Sequence, residues 1–200
     1  AFSIAAAVRD AAGTALLTFG LAVPIVAFRT QQDMQNQLVL DQRWGLVAAA
    51  SGGTMTIDDF SREDGRSALG TEWRFFSDTV MGGVSRGASA REAVDGRPCI
   101  RLAGRVSLEN NGGFIQVALP IEDSGKALDA SGYAGVRLLV RGNGARYYVH
   151  LRTRSTRLPW QHYAAPFETT GSWTAVDVPF ASFSPESLKA PLDVAHLKRL

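Results

Sequence analysis

From Met55 onward, apolar and polar positions alternate in short runs separated by Gly, Pro, Asn and Asp. That is the pattern of half-buried antiparallel strands. The runs predict strands over 72–76, 80–85, 99–108, 113–119, 135–140, 147–153, 162–167 and 173–178. Many short strands without a convincing helical period predict a mainly β chain, a β-sandwich or jelly roll. The front of the chain reads differently. Residues 11–28 run for 18 positions without a charge between Arg9-Asp10 and Arg29, the length of a membrane-spanning helix of about 17–25 residues. Residues 29–50 read as a polar connector ending in the start of another apolar run, and the pattern changes at Ser51–Thr54. Two units are therefore expected: an apolar, transmembrane helical segment over 1–50 and a sandwich over 55–200, truncated at its C-terminus.

Glycine punctuates this pattern in two ways. The Asn-Gly pairs of ENNGG (109–113) and RGNGA (141–145) accept positive φ and close turns. In SDTVMGGVS (77–85), however, Gly82 and Gly83 sit inside an apolar run. Neither the Lys-Ser/Thr nor the following helix of a phosphate cradle is there. The pair is expected in or beside a strand near Asn110–Phe114, where missing side chains let backbones approach. Pro179 should end a strand, with Phe180 and Phe183 as core plugs behind it.

Composition narrows the chemistry. A formal charge of +2 gives no argument for a nucleic-acid partner, although 18 of the 21 basic residues are Arg, the residue suited to planar and carboxylate partners. The single cysteine, Cys99, excludes an internal disulfide framework, and His150, His162 and His196 are too scattered to suggest a metal cluster. Cys99 lies in the alternating stretch RPCIRL and reads as a small buried hydrophobe. No Gly-x-Ser-x-Gly elbow occurs. Asp58, Asp59, Glu63 and Asp64 read as a solvated acidic segment, because their spacing fits no calcium loop. No catalytic residue, metal or cofactor is assigned.

The most suggestive surface comes from two consecutive strands. Period-2 alternation puts Val136, Leu138 and Val140 on one face and Arg137, Leu139 and Arg141 on the other. It likewise opposes Tyr147, Val149, Leu151 and Thr153 to Tyr148, His150, Arg152 and Arg154. If the two strands are neighbours, the polar faces merge, and Arg157, Trp160 and His162 extend them. The resulting basic, aromatic patch suits a carboxylate-rich protein segment, a sugar or a polyanion.

The order of motifs is more specific. DDFS (58–61), Trp73, SDTVMGGVS (77–85), GRVSLENNGGF (104–114), LDASGYAGVRLLVRGNGARYYVHLRT (128–153), YAAPFETTGSW (163–173) and VPFASFSP (178–185) together resemble the complex I intermediate-associated protein 30 family. Its marker positions here are Asp78, Met81, Gly82, Gly83, Ser85, Asn110, Asn111, Gly112, Gly113 and Phe114. The resemblance implies a galactose-binding-domain-like jelly-roll sandwich. It also implies a non-catalytic role in assembling respiratory NADH:ubiquinone oxidoreductase, with protein subunits as partners. Residues 1–50, with LAVPIVAFRT followed by LDQRWGLVA, resemble the N-terminal region of branched-chain amino-acid ABC-transporter permeases. The apolar segment 11–28 leads to the expectation of a membrane-associated chain with its sandwich in the cytoplasm. Two alternatives accompany this reading: a carbohydrate-binding module using Tyr148, Trp160 and Trp173, and a transport-associated component acting through residues 1–50.

Overall fold

A computed structural model describes residues 2–6, 35–41, 44–48, 54–121 and 126–198. The described chain is mainly β. Its strands are β1 (Phe2–Ala6), β2 (Gln35–Asp41), β3 (Trp44–Ala48), β4 (Thr54–Asp58), β5 (Arg74–Ser77), β6 (Arg86–Val94), β7 (Arg97–Arg105), β8 (Ile115–Leu119), β9 (Tyr133–Gly142), β10 (Arg146–Leu151), β11 (His162–Glu168), β12 (Thr174–Pro179) and β13 (Ser184–Glu186). They form two sheets. One has the order β13-β11-β10-β1-β8-β5, the other the order β4-β3-β9-β2-β7-β6, with β12 on the far edge of β9.

Alternation explains the layers. Ile115, Val117 and Leu119 of β8, Val149 and Leu151 of β10, and Tyr163 and Ala165 of β11 point inward from the first sheet. Ile100 and Leu102 of β7 and Val136, Leu138 and Val140 of β9 meet them from the second. Buried aliphatic and aromatic side chains of this kind each contribute on the order of 1.5–3 kcal/mol of transfer free energy, which is what holds two half-polar sheets face to face. Phe183 is buried and Phe180 packs against the core, as their apolar character implied. Cys99 is buried, with its thiol 3.3 Å from the Glu92 carbonyl.

The structure corrects four expectations. Val80–Ser85 is not a strand: Asp78–Met81 forms a 3-10 turn closed by Gly82 at φ 88°. An apolar run cannot pair as a strand where its central residue must adopt left-handed backbone. Arg86–Val94, passed over by the pattern because its charges are dense, is a full strand paired with β7 along nine residues. Gln35–Asp41 and Trp44–Ala48, expected within a connector, are strands, and β3 pairs with β4 across the change of pattern at residues 51–54. Finally, β9 and β10 are not neighbours, because RGNGA carries the chain from one sheet to the other.

The apolar run 11–28 lies outside the described residues. The strands on either side of it, β1 and β2, both hydrogen-bond into the sandwich. Among the described residues no helix is long and apolar enough to cross a membrane.

Candidate functional site

At one end of the sandwich, the marker motifs converge on a single carboxylate. Asp78 follows the last residue of β5, and its N–H donates to the Phe114 carbonyl at 3.1 Å, continuing the β5–β8 ladder. Its side chain is fully buried. Oδ1 accepts the Ser85 N–H at 2.9 Å, while Oδ2 accepts the Ser85 hydroxyl, the Gly113 N–H at 2.6 Å and the Phe114 N–H at 3.3 Å. Ser85 in turn accepts the Ser107 N–H at 2.9 Å. Ser85 leads into β6 and Ser107 follows β7, whereas Asp78 and Phe114 flank β5 and β8. One carboxylate therefore clasps the two sheets together. Four donors offset the cost of burying it, which for an unpaired charge would be prohibitive.

The glycines follow from this clasp. A Cβ on Gly83 would meet Asp78 Cγ and Oδ1 within contact distance and Asp78 Cβ at 2.7 Å. One on Gly112 would stand 2.5 Å from Asp78 Oδ2 and 2.8 Å from the Ser107 carbonyl. Gly82 has open space around it, and its requirement is conformational. The expected closeness of Gly82-Gly83 to Asn110–Phe114 is thus present, but the space vacated by the missing side chains is filled by a carboxylate rather than by a second backbone. Asn110 takes φ 55° in the facing turn, and Met81 is exposed. The side chain of Asn111 lies outside the described residues.

The expected basic patch divides between the sheets. Tyr148, His150 and Arg152 point outward from the β10 end of the first sheet, joined by His162 at the start of β11 and by Trp160 just before it. The imidazoles of His150 and His162 stack with centroids 4.0 Å apart and planes 26° apart. Burial holds the His150 pKa well below 6.5, with the His162 charge acting in the same direction. His162 is lowered chiefly by burial, which outweighs the Trp160 carbonyl at 2.9 Å from its Nδ1 and the opposing pull of Glu186. Both rings are neutral at pH 7. Arg152 donates to the carbonyls of Pro159 at 2.8 Å and Leu158 at 3.0 Å, so it braces the loop that carries Trp160. Tyr148 is buried, and Arg154 and Arg157 are exposed.

Arg137 and Arg141 stand on the other sheet. Arg137 makes a two-point contact with Asp177, its partner across the β9–β12 ladder, at 2.6 and 2.7 Å. Arg141 pairs with Asp95 at 2.6 Å. The arrangement brings His150, Arg152, Trp160 and His162 together and leaves Arg137 and Arg141 apart. It also makes the patch less cationic than its composition suggested. Trp160 and Trp173 lie at opposite ends of β11, so they form no shared aromatic platform.

The acidic segment also departs from expectation. Asp58 is buried rather than solvated. It accepts the Phe60 N–H and the Trp73 indole N–H, both at 2.8 Å, and lies 3.3 Å from Arg91. Burial raises its pKa above 3.8, against the opposing effects of those hydrogen bonds and of Arg91. Among the described residues, no group of three or more His, Cys, Asp or Glu side chains is placed to hold a metal ion.

Comparison with known families decides the chain's membership. Residues 59–198, well over half of the chain, match the complex I intermediate-associated protein 30 family. The chain belongs to that family. Residues 6–58 match a separate domain of unknown function. No curated protein and no solved structure matches the chain. Within this complex I intermediate-associated protein 30 domain, the matched region begins immediately after buried Asp58 and contains both halves of the Asp78 clasp. Sequence reasoning identified the clasp residues as markers but missed that Asp78 is their common partner. The Asp78–Gly113 bond spans 35 positions, and no local pattern reports it.

Proposed function

We propose that this chain is a non-catalytic, protein-binding assembly module acting on subunits of respiratory NADH:ubiquinone oxidoreductase, built on a galactose-binding-like jelly roll. Membership of the complex I intermediate-associated protein 30 family over residues 59–198 carries the reading. The outer face of β10 and β11 supports it. Stacked neutral imidazoles, a half-buried Trp160 and an Arg152 already engaged with its own loop suit packing against a protein better than capture of a polyanion. The carbohydrate alternative loses its platform because Trp160 and Trp173 are separated by the length of β11 and Tyr148 is buried.

The test is complementation. Cells lacking the gene should accumulate less of the assembled respiratory complex on native gels, and the wild-type chain should restore it. Arg152→Glu and His162→Glu should fail to restore it, while Arg137→Glu, on the other sheet, should succeed. Normal assembly in the deletion strain would overturn the function, and full complementation by the β10–β11 variants would overturn the choice of surface.

A further inference from the structure

We propose that the loop between β10 and β11 docks on an anionic bilayer surface, with Leu158 and Trp160 at the headgroup level and Arg154, Arg157 and Lys189 facing the lipid phosphates. Leu158 is 43% exposed, Pro159 beside it is exposed, and Trp160 is half-buried. The indole N–H of Trp160 finds no acceptor among the described residues. A ring of that kind, apolar in its body and polar at one edge, suits a bilayer interface. The loop is also braced from within. The N–H groups of Arg157 and Leu158 donate to Gln161 Oε1 at 2.9 and 3.1 Å. The Leu158 carbonyl accepts the Gln161 N–H at 3.1 Å and Arg152 at 3.0 Å, and the Pro159 carbonyl accepts Arg152 at 2.8 Å. Gln161 in turn donates from Nε2 to the Ser187 carbonyl at 3.0 Å. Backbone groups bonded in this way can approach a low-dielectric interface without the cost that falls on unpaired ones.

Charge indicates the occupant. Residues 152–162 contain three Arg, no Asp and no Glu. Arg152 is engaged with the loop's own carbonyls, whereas Arg154 and Arg157 are exposed and have no acidic partner among the described residues. Exposed Lys189, close behind the Ser187 that Gln161 holds, adds a third such cation. The adjoining stretch 184–198 contains two acids. Asp193 is bonded to His196 at 2.8 Å, and Glu186 is the ladder partner of His162. Cations left over beside an apolar tip are complementary to an anionic leaflet. An acidic peptide is the weaker match. The loop's main-chain groups are already bonded, and Leu158, Pro159 and Trp160 make one short consecutive tip, where an extended peptide needs free backbone partners and pockets for alternate side chains.

This inference goes beyond the assembly reading and does not depend on it. The full chain is sedimented with vesicles of phosphatidylcholine alone and of phosphatidylcholine mixed with phosphatidylglycerol. It should partition at least about tenfold more strongly to the anionic vesicles, and less strongly as salt is raised. The double variant Arg154→Gln/Arg157→Gln should weaken that partitioning about thirtyfold, the factor for two cations at about 1 kcal/mol each. Leu158→Ser should weaken it about fivefold, since less than half of that side chain is exposed and free to be buried. Thermal unfolding should be unchanged in both variants, because the altered side chains are exposed, and Arg137→Gln, on the other sheet, should sediment like wild type. Partitioning that ignores lipid charge, or that the loop variants leave intact, overturns the proposal, as does the absence of binding. So does release of the chain from vesicles by glycerol phosphate at the same phosphate concentration, which marks a site for free phosphate, or tighter binding to a soluble peptide of Leu alternating with Glu than to the anionic vesicles.

Discussion

Placing one asparagine at each of two adjacent glycines separates backbone conformation from steric filling. Gly82 has φ 88° and open space where a Cβ would project, with no atom within 4 Å, so Gly82→Asn meets only the left-handed backbone, which Asn tolerates better than other residues. Its cost should stay within about 1 kcal/mol. Gly83 has no such backbone requirement, but its Cβ would fall on the Asp78 side chain. Asp78 cannot step aside freely, because its oxygens accept from Ser85 twice, from Gly113 and from Phe114. Overpacking alone costs about 1–3 kcal/mol, and each charge-assisted bond lost in making room costs about 1.5–3 kcal/mol. Taking the cheaper combination, Gly83→Asn should destabilise by about 2.5 kcal/mol, which for a chain of this size lowers the midpoint by about 5–10 °C. Urea or thermal unfolding followed by tryptophan fluorescence measures both variants. Equal effects at the two positions, or a Gly83→Asn midpoint within about a degree or two of wild type, would refute the clasp as the reason for Gly83.

Other perturbations test the remaining chemistry. Asp78→Ala leaves the Ser85, Gly113 and Phe114 N–H groups without their acceptor and should cost about 3–5 kcal/mol, measured by the same unfolding assay. Asp58 has a folded pKa above its ordinary 3.8, so the native state holds that proton more tightly than the unfolded chain. Its stabilising contribution is complete below 3.8 and declines as pH rises through the folded value; the gap between wild type and Asp58→Asn should change in that direction and in that window. His150 and His162 are depressed below 6.5, so their contribution has the opposite sign, complete above 6.5 and lost as pH falls through the folded values. His150→Phe should therefore flatten the loss of stability on acidification, and proton NMR of the imidazoles should show both titrating below 6.5. Arg137→Ala should change stability by no more than about 1 kcal/mol, because its ion pair with Asp177 is exposed.

Period-2 alternation, a property of neighbouring residues, was enough to assign the faces of β9 and β10: Val136, Leu138, Val140, Tyr147, Val149 and Leu151 are all buried. The motif order from DDFS to VPFASFSP was enough to identify the family. Which strands lie side by side was not legible, since pairing depends on contacts far apart along the chain. The Arg137–Asp177 pair spans 40 positions and Arg141–Asp95 spans 46, and a turn sequence such as RGNGA looks the same whether it closes a hairpin or crosses between sheets. The same limit applies to SDTVMGGVS. Its residues could be marked from the sequence, but an aspartate that fills the space of two glycines and bonds to residues 35 positions away exists only once the two sheets have packed. Local pattern determines which way each side chain faces; tertiary packing alone decides what it meets.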